Sequence, residues 1–166
     1  DSAIESDCTI YLEPGTYTGD YFIDIYLKSN IKIIGNSTIL DAQCQTQIFH
    51  IEESSNITIQ NIIFKNGYAG RDNGGAIEVF NFCRDCSIYN CTFINNYVGG
   101  HSYGGGAIYG LNMENGWISN CTFINNYAAG DGGAIRLIDS WWRVNNCTFI
   151  NNHAYWDGGA IYGYTS

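Results

Sequence analysis

The sharpest chemical signal in this 166-residue chain is a pair of equivalent carboxylates. Asp131 and Asp157 each stand directly before a Gly-Gly pair, both within the string DGGAI. Held about 5 Å apart, two such groups match the acid and nucleophile of a retaining glycosidase. With further oxygen ligands they match a Ca²⁺ bridge. The simpler reading is turn chemistry, because aspartate before glycine caps its own backbone. Asn73 and Gly104 fill the same slot before the other glycine pairs, which favours the turn. No catalytic residue is therefore assigned, no cofactor is expected, and Asp131 and Asp157 stand only as weak Ca²⁺ candidates.

Seven cysteines offer a second chemistry. Cys91, Cys121 and Cys147 recur inside NCTFINN and read as reduced core residues, since a free thiol packs as a small hydrophobe. Cys83 and Cys86 form one CRDC string; zinc needs two more thiolates or imidazoles, so a local disulfide or a reduced pair fits better. Cys8 and Cys44 fall in successive early segments and are candidates to pair. His50, His101 and His153 fall in different slots, which argues against a metal triad.

Aromatic side chains are the third signal. Tyr97, Tyr103, Tyr109, Trp156 and Tyr162 fall in turns or on outward strand positions and are the ligand-binding candidates, with Tyr127, Tyr155 and Tyr164 placed alike. Such rings suit sugar stacking or a protein interface, or serve only as turn-stabilising stacks. Trp141 and Trp142 flank a turn, with Trp142 at inward parity. The longest variable loop is YVGGHSYG, from Tyr97 to Gly104, and loops on a rigid scaffold commonly carry function.

The elements that position these residues follow from repetition. NCTFINN occurs at Asn90–Asn96, Asn120–Asn126 and Asn146–Asn152, with a degenerate copy, NIIFKNG, at Asn61–Gly67. GGAI begins at Gly74, Gly105, Gly132 and Gly158. The period of 26–31 residues is too short for a propeller blade and fits one turn of a β-solenoid. Polar and β-branched residues alternate over short runs, and glycine punctuates any helical window. The predicted fold is all-β: a right-handed parallel β-helix of about six coils. It is a single domain over 1–166, with irregular coils at 1–60 and four repeats at 61–166. Coils lie about 4.8 Å apart, so equivalent residues stack. Four inward columns are expected: Cys91, Cys121 and Cys147 topped by Ile62; Phe64, Phe93, Phe123 and Phe149; Ile77, Ile108, Ile135 and Ile161; Ile59, Ile88, Ile118 and Val144. Asn61, Asn90, Asn120 and Asn146 are expected at a bend, bonded amide to amide along the stack. Sequons fall at Asn36, Asn56, Asn90, Asn120 and Asn146, and Asn36 is the best acceptor because a glycan on the last three would break that ladder.

Net charge is −9, with only 7 lysines and arginines. That disfavours nucleic acid and anionic membranes, which need basic patches. No apolar run of about 18 residues inserts in a membrane. The chain opens on Asp1 and stops just after a repeat element, so it reads as a segment of a longer repeat protein.

The alternation of GGAI with FxxN (Phe93–Asn96, Phe123–Asn126, Phe149–Asn152) resembles the repeats of chlamydial polymorphic outer-membrane proteins. The recurrence of NCTFxNN with GGAIY is similar to the adhesin-like surface proteins of methanogenic archaea. TIYLEPGTY, IKIIG and TILDA are similar to the first coils of pectin-lyase-like right-handed β-helices. The repeat likeness covers 61–166 and the weaker one 9–64; Gly67 departs from FxxN. The resemblance implies a non-catalytic, extracellular, cell-surface adhesin whose partner is a glycan or protein receptor on another cell. Two alternatives remain: a pectin-lyase-like carbohydrate-active enzyme using Asp131 and Asp157, or a spacer stalk. The polygalacturonase motifs NTD, paired aspartates, GHG and RIK do not occur, and Gly100-His101-Ser102 is the nearest approach. Pectate lyases need a basic residue beside acidic ligands, whereas Arg136 is expected to stack among Glu78, Tyr109 and Tyr162.

Overall fold

A computed structural model describes residues 4–19, 23–101 and 103–165. Ser102, part of the variable loop singled out above, lies outside the described residues. Every strand pairs in parallel with its equivalent in the next coil, and the winding is as expected, about six coils. The first coil holds β1 (Cys8–Leu12), β2 (Gly15–Thr18) and β3 (Ile23–Tyr26). The second holds β4 (Ser29–Asp41) and β5 (Phe49–Glu52), and the third β6 (Ser55–Lys65), β7 (Tyr68–Ala69) and β8 (Ile77–Phe80). The fourth holds β9 (Ser87–Tyr89), β10 (Thr92–Ile94), β11 (Tyr97–Val98) and β12 (Ile108–Leu111). The fifth holds β13 (Gly116–Ser119), β14 (Thr122–Ile124), β15 (Tyr127–Ala128) and β16 (Ile135–Ile138). The sixth holds β17 (Trp142–Asn145), β18 (Thr148–Ile150), β19 (His153–Ala154) and β20 (Ile161–Tyr164).

Three sheets form the walls. The largest has ten strands, and its long strands β4 and β6 each do the work that later coils divide between two short strands. A six-stranded sheet, whose last four strands follow GGAI, and a four-stranded sheet of two-residue strands form the other sides. Inside, the columns form as the repeat demands. Phe64 pairs in register with Phe93, then Phe123 and Phe149, with ring centroids 4.8–4.9 Å apart. Ile77, Ile108, Ile135 and Ile161 stack likewise, as do Ile59, Ile88, Ile118 and Val144. Burying one such side chain is worth roughly 1.5–3 kcal/mol, and no coil could bury its own face alone.

Corners fall on residues in the left-handed backbone region. Asn61, Asn90, Asn120 and Asn146 have φ between 47° and 60°, and Asn66, Asn95, Asn125 and Asn151 between 52° and 54°. Asparagine tolerates this region better than other side chains because its short amide bonds locally. Each GGAI corner begins on a glycine at φ 65–71°. The second glycine is required for close approach: a Cβ on Gly106 would lie 2.1 Å from the Gly133 carbonyl oxygen.

The expected bend at Asn61, Asn90, Asn120 and Asn146 forms, but the continuous amide ladder runs through a different, more buried set of asparagines. Asn61, Asn90, Asn120 and Asn146 are exposed, and among the described residues the amide bond in that column runs from Asn146 to Asn120. The buried ladder is Asn96, Asn126 and Asn152. Asn96 Nδ2 donates to Asn126 Oδ1 at 2.9 Å, and Asn126 Nδ2 to Asn152 Oδ1 at 2.9 Å. Each of these amides also donates to a backbone carbonyl of the preceding coil, as Asn126 does to Phe93 at 3.1 Å. The three repeat sequons therefore present exposed corner asparagines, with no buried ladder for a glycan to break.

All seven cysteines are free thiols. The Cys8–Cys44 pairing is not formed: Cys8 Sγ donates to the Glu5 carbonyl at 2.9 Å, and Cys44 is an exposed corner residue at φ 59°. Cys83 and Cys86 are buried and reduced, and Cys83 donates to the Phe80 carbonyl at 3.2 Å while accepting from the Ser54 amide. Cys91 and Cys121 are fully buried as expected. Burial holds the Cys91 thiol well above its usual range, so it stays protonated and inert.

Candidate binding surface

The paired aspartates resolve into a corner cap. Asp131 is buried; its Oδ1 accepts the backbone N–H of Asp157 at 3.2 Å, and its Oδ2 lies 3.4 Å from Arg136 Nη2. Asn73, in the same slot two coils earlier, accepts from the Gly104 N–H at 3.0 Å and meets Arg136 Nη1 at 3.5 Å. The slot thus holds an oxygen that pins the following coil, which is the turn reading. Asp157 is exposed. Among the described residues, no group of three or more histidine, cysteine or acidic side chains is placed to hold a metal ion.

Arg136 lies among the stacked neighbours expected for it. Its guanidinium sits 5.8 Å from the Tyr109 ring centre and 5.9 Å from that of Tyr162, so the rings of two binding candidates sandwich a cation. Tyr109 is buried, and burial raises its phenol. Farther along this outward row, His50 lies 3.7 Å from both Glu52 and Glu78. Burial pushes the Glu78 carboxyl up to about 7, Asp72 and Glu52 add to this, and the Asn73 hydrogen bond opposes it. The sequence reading missed this contact because His50 and Glu78 belong to differently worded coils.

Tyr97 lies in a stack: Tyr68 is 5.6 Å away, Tyr127 5.0 Å, and His153 stands 5.6 Å beyond Tyr127. Interplanar angles of 9–14° along the tyrosines leave ring edges, not faces, toward solvent. A sugar stacks on a ring face, so this column serves the fold. Tyr103 does not project either; it packs half-buried against the small cluster of Ala69, Val98 and Ala128. His101 meets the Tyr155 ring edge-on at 5.7 Å. The variable loop therefore lies down on the next coils. Trp156 is exposed, and its backbone N–H donates to the Gly130 carbonyl at 3.2 Å. Of the five candidates, the structure brings Tyr109 and Tyr162 together around Arg136 and leaves Tyr97, Tyr103 and Trp156 on another side.

The clearest concavity lies elsewhere, at the corner between the six-stranded and ten-stranded sheets. A groove of about 450 Å³ is lined by Glu114, Asn115, Ser140, Trp141, Trp142 and Arg143. Trp141 is 78% exposed, and Phe82 on the same corner 68%. Trp142 packs against the core as its parity predicts, over Gly116, where a Cβ would lie 2.0 Å from the indole. The Trp-Trp pair signalled the spot, but its opposite wall, Glu114 and Asn115, arrives one coil earlier with no shared motif.

The family described as right handed beta helix region matches residues 5–166. No curated protein and no solved structure matches the chain. With its register, corners and columns those of a parallel β-solenoid, the chain belongs to the right handed beta helix family.

Proposed function

We propose that the chain is a non-catalytic segment of a cell-surface adhesin, displayed outside the cell and attaching it to a glycan-bearing surface of another cell. The observation that carries this reading is a rigid ladder with large aromatic side chains held open at its corners: Phe82, Trp141 and Trp156. Such side chains cost little conformational entropy to hold and supply stacking area. The Asp131 carboxylate, one of the two acids a glycosidase would need, is engaged instead in capping and in the Arg136 pair, which supports binding without turnover. Its likeness to methanogen adhesin-like and polymorphic membrane-protein repeats points the same way. The test is incubation with a panel of polysaccharides, scoring both retention and new chain ends. Retention without cleavage is expected; new reducing or unsaturated ends that vanish on Asp131→Asn would overturn it.

A further inference from the structure

We propose that the corner groove at Trp141 is a binding site for an uncharged hexose within a glycan. The inference rests on the surface-binding reading and names the class of ligand. Its volume of about 450 Å³ falls inside the roughly 300–1,000 Å³ range of small-ligand sites. Trp141 offers an open indole, and its backbone is fixed on both sides: its N–H donates to the Met113 carbonyl at 2.8 Å, and its carbonyl accepts from the Gly116 N–H at 3.2 Å. The platform is therefore preorganised, which lowers the ordering cost of binding.

The polar lining of Glu114, Asn115, Ser140 and Arg143 offers both donors and acceptors to sugar hydroxyls. Glu114 is paired with Arg84 at 3.2 Å yet keeps 55% of its side chain exposed, and Asn115 is exposed beside it. A carboxylate accepts from a sugar hydroxyl and repels an acidic one. Arg143, the cation of the groove, lies over the Trp117 ring at 4.9 Å. The Trp142 indole N–H, packed over Gly116 beside the groove, is buried and has no acceptor among the described residues. The chain's net charge of −9 adds a general penalty against polyanions.

The test titrates the chain with cellotetraose, mannotetraose and galactotetraose, and with tetragalacturonate as the anionic probe, following tryptophan fluorescence and ligand-observed NMR. Saturable binding of at least one neutral tetrasaccharide is expected, with no tetragalacturonate binding. Trp141→Ala should weaken it by about tenfold or more, and Glu114→Ala should weaken it too, while the distant, exposed Tyr11→Ala leaves it unchanged. Both variants alter exposed side chains, and circular dichroism checks that they fold. Neutral glycan binding that survives Trp141→Ala overturns the groove and leaves the adhesin reading standing. A preference for tetragalacturonate overturns the ligand class. Failure to bind any of the four probes overturns the groove proposal, and an accompanying absence of retention on every polysaccharide overturns the adhesin reading with it.

Discussion

The first two coils and the four that follow enclose one core with two kinds of corner. From β6 onward the corners are written by rule: asparagine in the left-handed region, a glycine pair and, from β10 onward, an asparagine hydrogen-bonded to its neighbouring coils. Before β6, each job falls to a different residue. Thr38, fully buried in the column that later holds Cys91 and Cys121, donates to carbonyls of the preceding coil at Leu12 and Glu13, 3.0 and 3.1 Å away. Gln47 donates to the Asn73 and Gly74 carbonyls at 2.7 and 2.6 Å, satisfying the first glycine corner. An exposed chain of side-chain bonds runs from Asn56 to Asn30 to Asp7. The core columns cross the boundary unchanged, Leu40 pairing with Phe64 and Ile33 with Ile59. What stacking enforces is shape in the core and oxygen or nitrogen at the corner; the repeat is one economical way to meet both.

The most damaging test of this continuity is Phe123→Ala, expected to cost about 3–5 kcal/mol. Leu40→Ala, in the same column but outside the repeats, should cost roughly 2–5 kcal/mol in the same single transition. Two separate unfolding transitions in urea would show that the two regions do not share a core. Next is Asn126→Ala, which strips partners from the Phe93 carbonyl and the Asn96 amide. Each abandoned buried group costs about 1–3 kcal/mol, so a loss of about 3 kcal/mol is expected. The same change at exposed Asn120 should stay below about 1 kcal/mol. Equal losses at the two sites would return the ladder to the Asn120 column.

At the seam, His50 of the irregular coils meets Glu78 of the first repeat. The Glu78 carboxyl rises from 4.5 to about 7 on folding, so the folded chain holds the proton more tightly than the unfolded one. Stability contributed by this group is complete below about pH 4.5 and is lost as pH rises through about 7, by up to about 3 kcal/mol. Glu78→Gln should flatten that part of the pH profile, read by urea midpoints at each pH. A glycine at the first repeat sharpens the comparison further. Gly67 departs from FxxN, and restoring the repeat by Gly67→Asn should destabilise by about 1–3 kcal/mol, because a Cβ there would lie 2.2 Å from the Gly75 carbonyl oxygen. A stabilised variant would show that Gly67 is merely a decayed asparagine.

Most of the scaffold was legible because stacking converts sequence period into spatial register. Phe64, Phe93, Phe123 and Phe149 could be placed in one column from spacing alone. The asparagines could not, since NCTFINN holds three, all suited to turns. Alternation from inward Phe93 would point Asn95 inward and Asn96 outward. The left-handed corner at Asn95 reverses that parity and turns Asn96 into the core. A residue count that includes the corner finds the buried ladder; alternation alone does not. The groove was half legible for a related reason. Trp141 and Trp142 stand out in the chain, but a site built across coils also needs Glu114 and Asn115, whose only tie to them is one turn of the helix. Exposed aromatics were similarly ambiguous, because whether a ring's face is open depends on its neighbour in the stack: Tyr97 has tyrosines on both faces, and Trp141 does not.

The proposed binding surface on a non-catalytic ladder is tested most directly by a broad glycan array read with labelled chain, with and without Ca²⁺. The account predicts saturable binding to a defined class of neutral glycan, unchanged by Ca²⁺, with the bound glycan recovered intact. Binding to no glycan, or recovery of shortened products, would contradict it.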